Sequence, residues 1–242
     1  MSQSSSSETK EQFVHSVFES IAPKYDMMND LLSFRRHKAW RKFTMAKMNM
    51  SPGDTALDLC CGTCDWTISM AEASGGPIIG LDFSEQMLEY GRRKVKDRQL
   101  DSRINLVQGN AMELPFEDNR FDYATIGFGL RNVPDLRQVL KEMQRVVKPG
   151  GMVVCLELSK PTWQPFKGLY YFYFQQVLPM LGRLVAKRYE QYKWLPDSLV
   201  QFPGRAELAE IFRETGLTRV EAYPLTGGIA ALHIGSKETQ HV

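Results

Sequence analysis

Two aspartates and the tight turn between them carry the densest chemistry in this 242-residue chain. Asp58 lies in an apolar run, the turn Cys60-Cys61-Gly62-Thr63-Cys64 follows it, and Asp82 closes a second apolar run 20 positions after Gly62. An open α/β sheet builds a nucleoside site in this way. Backbone at the first turn faces the ligand, and the acid ending the second strand accepts hydrogen bonds from both ribose hydroxyls. Asn110-Ala111, after a third apolar run, stand where a purine ring would lie, and the amide can pair with its polar edge. Asp82 also reads as a cap for the next helix and Asn110 as a turn residue, but three consecutive strand ends together favour the nucleoside site.

The turn holds one glycine where dinucleotide sites use three. A ligand without a pyrophosphate needs no full phosphate cradle, so Gly62 can suffice. S-adenosylmethionine, a cationic sulfonium joined to adenosine, fits better than NAD. In that reading Asp58 hydrogen-bonds near the amino-acid end of the cofactor and Thr63 supplies a hydroxyl at the turn. Cys61 and Cys64 also match a redox C-x-x-C spacing. A long α/β region with a spaced acid follows them, which favours small packable turn residues over thiol chemistry. No second Cys or His pair stands at ligand spacing, so no metal site is expected.

Those side chains need a frame, and the periodicity supplies it. Strands are predicted near 55–60, 77–83, 104–109, 121–128, 152–158, 219–225 and 229–236, with helices near 65–74, 84–97, 135–147 and 205–215. Asp65 and Ser84 read as N-caps. Residues 11–50 read as a helical cap broken at Pro23. The last two strands are joined only by Thr226-Gly227-Gly228, too short for a crossover, so they form a hairpin and the last strand runs antiparallel to its neighbours. Strand–helix alternation closed by such a hairpin resembles the Rossmann-like, seven-stranded, mostly parallel sheet of class I methyltransferases, with helices on both faces. The expected organisation is a disordered tail over 1–10 and one α/β domain over 11–242.

Residues 160–203 stand out inside that domain. They are rich in aromatics, with Tyr170-Tyr171-Phe172-Tyr173-Phe174 at their centre, and carry six basic residues against two acidic ones. A net charge of +2 with 24% charged residues gives no global sign of nucleic-acid binding. No apolar run approaches the ~20 residues of a membrane span and no secretory signal is present, so a cytoplasmic protein is expected.

Longer motifs carry a family resemblance. Tyr25-Asp26-Met27-Met28-Asn29-Asp30-Leu31-Leu32-Ser33-Phe34-Arg35-Arg36-His37-Lys38-Ala39-Trp40, Gly127-Phe128-Gly129-Leu130-Arg131-Asn132-Val133 and Arg145-Val146-Val147-Lys148-Pro149-Gly150-Gly151 resemble signatures of the menaquinone/ubiquinone C-methyltransferases. The resemblance spans residues 11–237 and leans to the naphthoquinone branch of Gram-positive bacteria, which shares the double-cysteine turn. It implies methyl transfer from S-adenosylmethionine to a ring carbon of a polyprenylated naphthoquinol, demethylmenaquinol, as the last step of menaquinone synthesis. A dual benzoquinol and naphthoquinol range stays open. Thr63, Asp82, Asn110 and Ala111 are the cofactor contacts it implies. Cys64 departs from the family pattern, where glycine or another small residue is common.

Carbon methylation needs the quinol oxygen to lose its proton, so a base or a cation that stabilises the phenolate is expected. Arg131, after the fourth strand, is the first candidate, with Tyr25, Asp26, His37 and His233 for positioning or proton movement. Each has a plain structural alternative: Arg131 paired with Asp135, His37 on a helix surface, His233 in the core. The insert suits a polyprenyl tail, with Arg183, Lys187 and Arg188 at anionic headgroups in a peripheral membrane contact. A homo-oligomer stays open. The rivals are an NAD-dependent oxidoreductase, a thiol redox protein and a non-enzymatic interaction module.

Overall fold

The computed structural model describes Gln12, Glu19, Ala22, residues 25–161, Gly168 and residues 198–239. The expected tail, most of the helix before Pro23 and nearly all of the aromatic insert lie outside the described residues.

Apolar strands framed by helix caps produce the frame. Helix α1 (Tyr25–Leu32) and α2 (Arg36–Met48) precede β1 (Ala56–Leu59), α3 (Asp65–Ser74), β2 (Ile78–Asp82), α4 (Glu85–Asp97), β3 (Ile104–Gln108) and β4 (Phe121–Gly127). Then follow α5 (Leu136–Val146), β5 (Val147–Leu158), α6 (Arg205–Glu214), β6 (Leu217–Leu225) and β7 (Ala230–Lys237). The sheet order is β3-β2-β1-β4-β5-β7-β6. β1 to β5 are parallel, and β7 is antiparallel to both β5 and β6. The expected hairpin is present, with Gly227 at φ +69° inside its turn.

β1 and β2 are buried along their whole length because both sheet faces are covered. Leu57, Leu59, Ile126 and Val153 share one face with Leu140, Met143 and Phe212 from α5 and α6. Ala56, Ile78, Tyr123 and Val154 share the other with Trp40, Trp66, Met70 and Val95 from α2, α3 and α4. The sheet order reverses between β1 and β4, and at this switch the loops after the two strands splay to opposite faces and leave a crevice.

Two local expectations are corrected. Within the described residues the cap region breaks at 33–35, where Ser33 Oγ and the Arg35 N–H donate to the carbonyls of Asn29 and Asp30, and Phe34 and Arg35 turn left-handed. Asp65 is not the N-cap of α3: Cys64 holds that position at φ +66°, and Asp65 is the first helical residue, paired with Arg41 and Lys94. Ser84 does cap α4, accepting from the Met87 N–H.

Candidate active site

The turn after β1 is built from alternating left-handed residues. Cys60, Gly62 and Cys64 have φ of +51°, +55° and +66°. Left-handed backbone suits glycine, and a side chain there costs roughly 1 kcal/mol. The backbone is thus that of a turn with three glycines, with cysteine at its first and last positions. What lets a thiol fit is a glycine on each facing element. A Cβ at Gly129 would lie 2.5 Å from Cys60 Cβ, one at Gly80 would lie 3.0 Å from Cys61 Sγ, and one at Gly91 in α4 would collide with Cys64 Sγ.

All four cysteines are free thiols. Burial pushes the Cys60 and Cys61 thiols well above their usual range, with the nearby Asp82 charge adding to the shift for both. Neither is a thiolate nucleophile at neutral pH. This geometry supports packing and argues against the redox reading.

Asp82 closes β2 under the turn. Its Oδ2 accepts from the Gly62 N–H at 2.8 Å and its Oδ1 from the Ser84 N–H at 3.0 Å. These two bonds fix the carboxylate at the end of β2. The carboxylate lies at the wall of a cavity of about 720 Å³, its solvent-open mouth included, which Tyr25, Gly62, Asn110, Ala111, Gly127 and Asn132 also line. The Tyr25 ring roofs the turn, since a Cβ on Gly62 would come within 3.7 Å of its Cε1. Burial raises the Tyr25 pKa, an effect opposed by its hydrogen bond with Asn29 and by the charge of Arg131, so the phenol stays protonated. Asn110 is exposed, and its Oδ1 accepts from the Met112 N–H at 2.9 Å, so it serves the turn while facing the cavity.

Other candidates lie elsewhere than expected. Asp58 is buried beneath the site, between strand and helix, and does not line the cavity. Its two oxygens accept from Thr67 at 2.7 Å and Thr125 at 2.8 Å. Burial raises its pKa to about 6 against those hydrogen bonds. It ties β1 to α3 and β4, and is not placed to bind the cofactor's amino-acid end. Thr63 donates its hydroxyl to Asp26 Oδ1 at 2.6 Å instead of to the cavity, and Lys94 Nζ reaches both Asp26 and Thr63. Asp26 therefore fastens α1 to the turn and is not at an acceptor position. His233 sits mid-strand in β7, 1% exposed, with Nε2 donating to the Arg205 carbonyl and its ring against Phe212. Burial lowers its pKa to about 4. It is a core histidine, remote from the cavity lining. His37 is also buried, beside Ser33 and Asp30, with its pKa lowered to about 4 by burial.

Arg131 pairs with Glu157, not Asp135. Its guanidinium is 2.5 Å from Glu157 Oε1 and 2.6 Å from the Phe128 carbonyl. The side chains of this ion pair are 5% and 1% exposed. Asp135 instead caps α5, accepting from the Arg137 and Gln138 N–H groups. The sequence reading missed Lys94 and Glu157 as determinants. Glu157 was findable, because an isolated acid in the apolar run Val153-Val154-Cys155-Leu156 demands a buried partner. Lys94 was not, because only folding brings α4 beside α1.

Among the described residues no group of His, Cys, Asp and Glu could hold a metal ion. The cavity fits an adenosyl ligand: a carboxylate preset by two backbone N–H groups, a left-handed glycine turn beneath Tyr25, and an asparagine opposite. NAD fits less well, because the cysteine side chains leave no open three-glycine cradle.

Comparison with known proteins agrees. The chain is 57% identical over 234 residues to the demethylmenaquinone methyltransferase of Halalkalibacterium halodurans, covering 96% of this chain and 95% of the relative. It is 58% identical to the proteins of that name from Bacillus cereus and Geobacillus stearothermophilus, over 95% of this chain and 98% and 99% of theirs. A putative S-adenosylmethionine-dependent methyltransferase from Methanococcus maripaludis shares the fold at a TM-score of 0.64 and 21% identity, over 93% of this chain and 95% of that one. One from Aquifex aeolicus shares it at 0.64 and 17%, over 90% and 97%. The profile of the ubiE/COQ5 methyltransferase family matches residues 6–237, and with this sheet and cavity the chain belongs to that family of S-adenosylmethionine-dependent methyltransferases.

Proposed function

We propose that this chain methylates a ring carbon of demethylmenaquinol, with S-adenosylmethionine as donor. One observation carries the reading: 58% identity to a demethylmenaquinone methyltransferase extends over 95% of this chain and 98% of that relative. When bound, S-adenosylmethionine supplies an electrophilic methyl group. Asp82 holds the ribose hydroxyls, and Asn110 and Ala111 flank the adenine. The turn at Gly62 lies against the amino-acid end, under Tyr25, while Thr63 is held on Asp26.

Tyr25 donates to an oxygen of the acceptor ring. The charge of Arg131 is felt at this wall, since it lowers the Tyr25 pKa against burial. The phenolate form of a quinol beside Tyr25 pushes electron density onto the ring carbon. Arg131, neutralised in its pair with Glu157, contributes there only the local field of that ion pair. The acceptor's polyprenyl chain calls for a peripheral membrane contact. The insert residues Arg183, Lys187 and Arg188, expected at headgroups, lie outside the described residues. Among the described residues, no helix is long and apolar enough to cross a membrane.

The test is methyl transfer from labelled cofactor to demethylmenaquinol and to a demethylated benzoquinol, side by side. Transfer to the naphthoquinol with the benzoquinol poorer is expected. Absence of transfer to the naphthoquinol, with the protein saturated by cofactor, overturns the acceptor. Asp82→Ala removes charge-assisted hydrogen bonds and should weaken cofactor binding by about tenfold to a hundredfold in titration calorimetry.

A further inference from the structure

Helix α1 is two-faced in an unusual way. Its inner side puts Tyr25 into the cavity wall and buries Met28 at 2% exposure. On the outer side Met27, Leu31 and Phe34, at 51%, 40% and 71% exposure, follow each other at helical spacing onto the turn before α2. Three of the five exposed large hydrophobics among the described residues thus fall within eight positions. Scattered apolar residues need no explanation, but a contiguous stripe does.

Exposed cations follow the stripe in the chain, Arg35, Arg36, Lys38 and Lys42, and Arg35 and Lys38 reach back to Asp30 of α1. Asp30, the single acid in residues 27–43, is taken up by Arg35, Lys38 and His37. His37 is buried and its pKa lowered by burial, so the charge of this basic segment is fixed by lysine and arginine. An apolar stripe followed by a basic segment complements the boundary between headgroups and acyl chains of an anionic bilayer. It does not complement nucleic acid, which offers no apolar layer.

We propose that α1 and the following turn dock on an anionic phospholipid surface through Met27, Leu31 and Phe34, with Arg35, Arg36, Lys38 and Lys42 at the headgroups. Because Tyr25 projects from the other side of α1, docking there seats the cavity wall one helix diameter from the bilayer. That arrangement rests on the reading of the acceptor as a polyprenylated quinol. The surface itself is a property of α1 and is tested without any acceptor.

Flotation with phosphatidylglycerol-containing vesicles and with pure phosphatidylcholine vesicles reads the docking directly. The wild-type chain should float with the anionic vesicles and not with the neutral ones. Met27→Ser/Leu31→Ser/Phe34→Ser should lower the bound fraction at least tenfold, and Arg35→Glu/Arg36→Glu should do the same at low salt. Arg137→Glu, a charge change on α5, should leave binding unchanged. Turnover of a water-soluble short-chain naphthoquinol should stay near wild type in the triple serine variant, while turnover of a long-chain quinol in vesicles falls. Unchanged flotation of both cap variants overturns the proposal and moves membrane contact to another segment. A wild-type dimer in light scattering that the triple serine variant converts to monomer also overturns it, in favour of a second copy of this chain. Should the serine variant fail to fold, the arginine variant decides alone. Loss of short-chain turnover in the wild type sinks the acceptor reading and leaves the flotation result standing.

Discussion

Cys64 and Gly91 show how single residues share one steric problem. The turn needs left-handed backbone at residue 64, and a thiol is accepted there because Gly91 offers bare backbone across the contact. Gly91→Ala should therefore destabilise the fold by about 1–3 kcal/mol through overpacking. Cys64→Gly should cost little, since relief of left-handed strain offsets the lost packing. The double substitution should be less damaging than the sum, and a denaturation cycle measures the coupling. At Arg131 the same scale gives a caution about kinetics. Removing either member of a buried ion pair leaves the other charge uncompensated, so Arg131→Ala and Glu157→Gln should each cost about 3–5 kcal/mol. Lost turnover in Arg131→Ala speaks for a role in the reaction only if the folded variant still binds the cofactor.

At the scale of elements, buried titratable groups join strands to helices. His233 joins β7 to α6 as a neutral ring with Nε2 on the Arg205 carbonyl, and its Nδ1 has no hydrogen-bond partner among the described residues. A depressed pKa means that the stabilising contribution is complete above the ordinary 6.5 and is lost as pH falls through about 4. His233→Gln should flatten the acid limb of the stability curve by an amount on the order of 3 kcal/mol. Asp58 acts in the opposite sense. Its folded pKa is raised from 3.8 to about 6, so its contribution is complete below 3.8 and lost as pH rises through about 6. Asp58→Asn should thus be most favourable, relative to wild type, near pH 7 and least so near pH 4. Urea titrations at pH 4, 5.5 and 7 separate the two, and equal effects at all three pH values would sink both assignments.

For the whole molecule, the crevice exists because the sheet order reverses between β1 and β4, and α1 roofs it from outside the sheet. Ligand binding at this junction should stabilise the fold globally. Cofactor at about 100 times its dissociation constant should add roughly 2.7 kcal/mol, visible as a raised melting temperature. Hydrogen exchange in α1 and in the turn at 60–64 should slow together on binding. Both effects should shrink in Asp82→Ala at the same cofactor concentration, the added stability falling to roughly 0.4–1.4 kcal/mol.

The strand–turn–helix units, the hairpin at Thr226-Gly227-Gly228 and the acid at position 82 were legible in the sequence, because each depends on residues close together in the chain. Alternation, caps and a left-handed glycine are local physics, and Asp82 reaches Gly62 only through the register of two adjacent strands. Four matters were not local. Asp58 looks like a ligand in the sequence, but the fold buries it outside the cavity lining, hydrogen-bonded to Thr67 and Thr125. His233 looks like a base, but the carbonyl of Arg205, 28 residues away, keeps it in the core. Arg131 finds Glu157 across 26 residues, where the chain offered Asp135 nearby. Asp26 turns to Thr63 and Lys94, 37 and 68 residues distant. The sequence by itself determined the elements and the placing of a carboxylate at the end of β2 beneath the Gly62 turn. Tertiary structure alone decided which polar side chains face the cavity, because a polar group goes to whichever partner the fold brings within 3 Å.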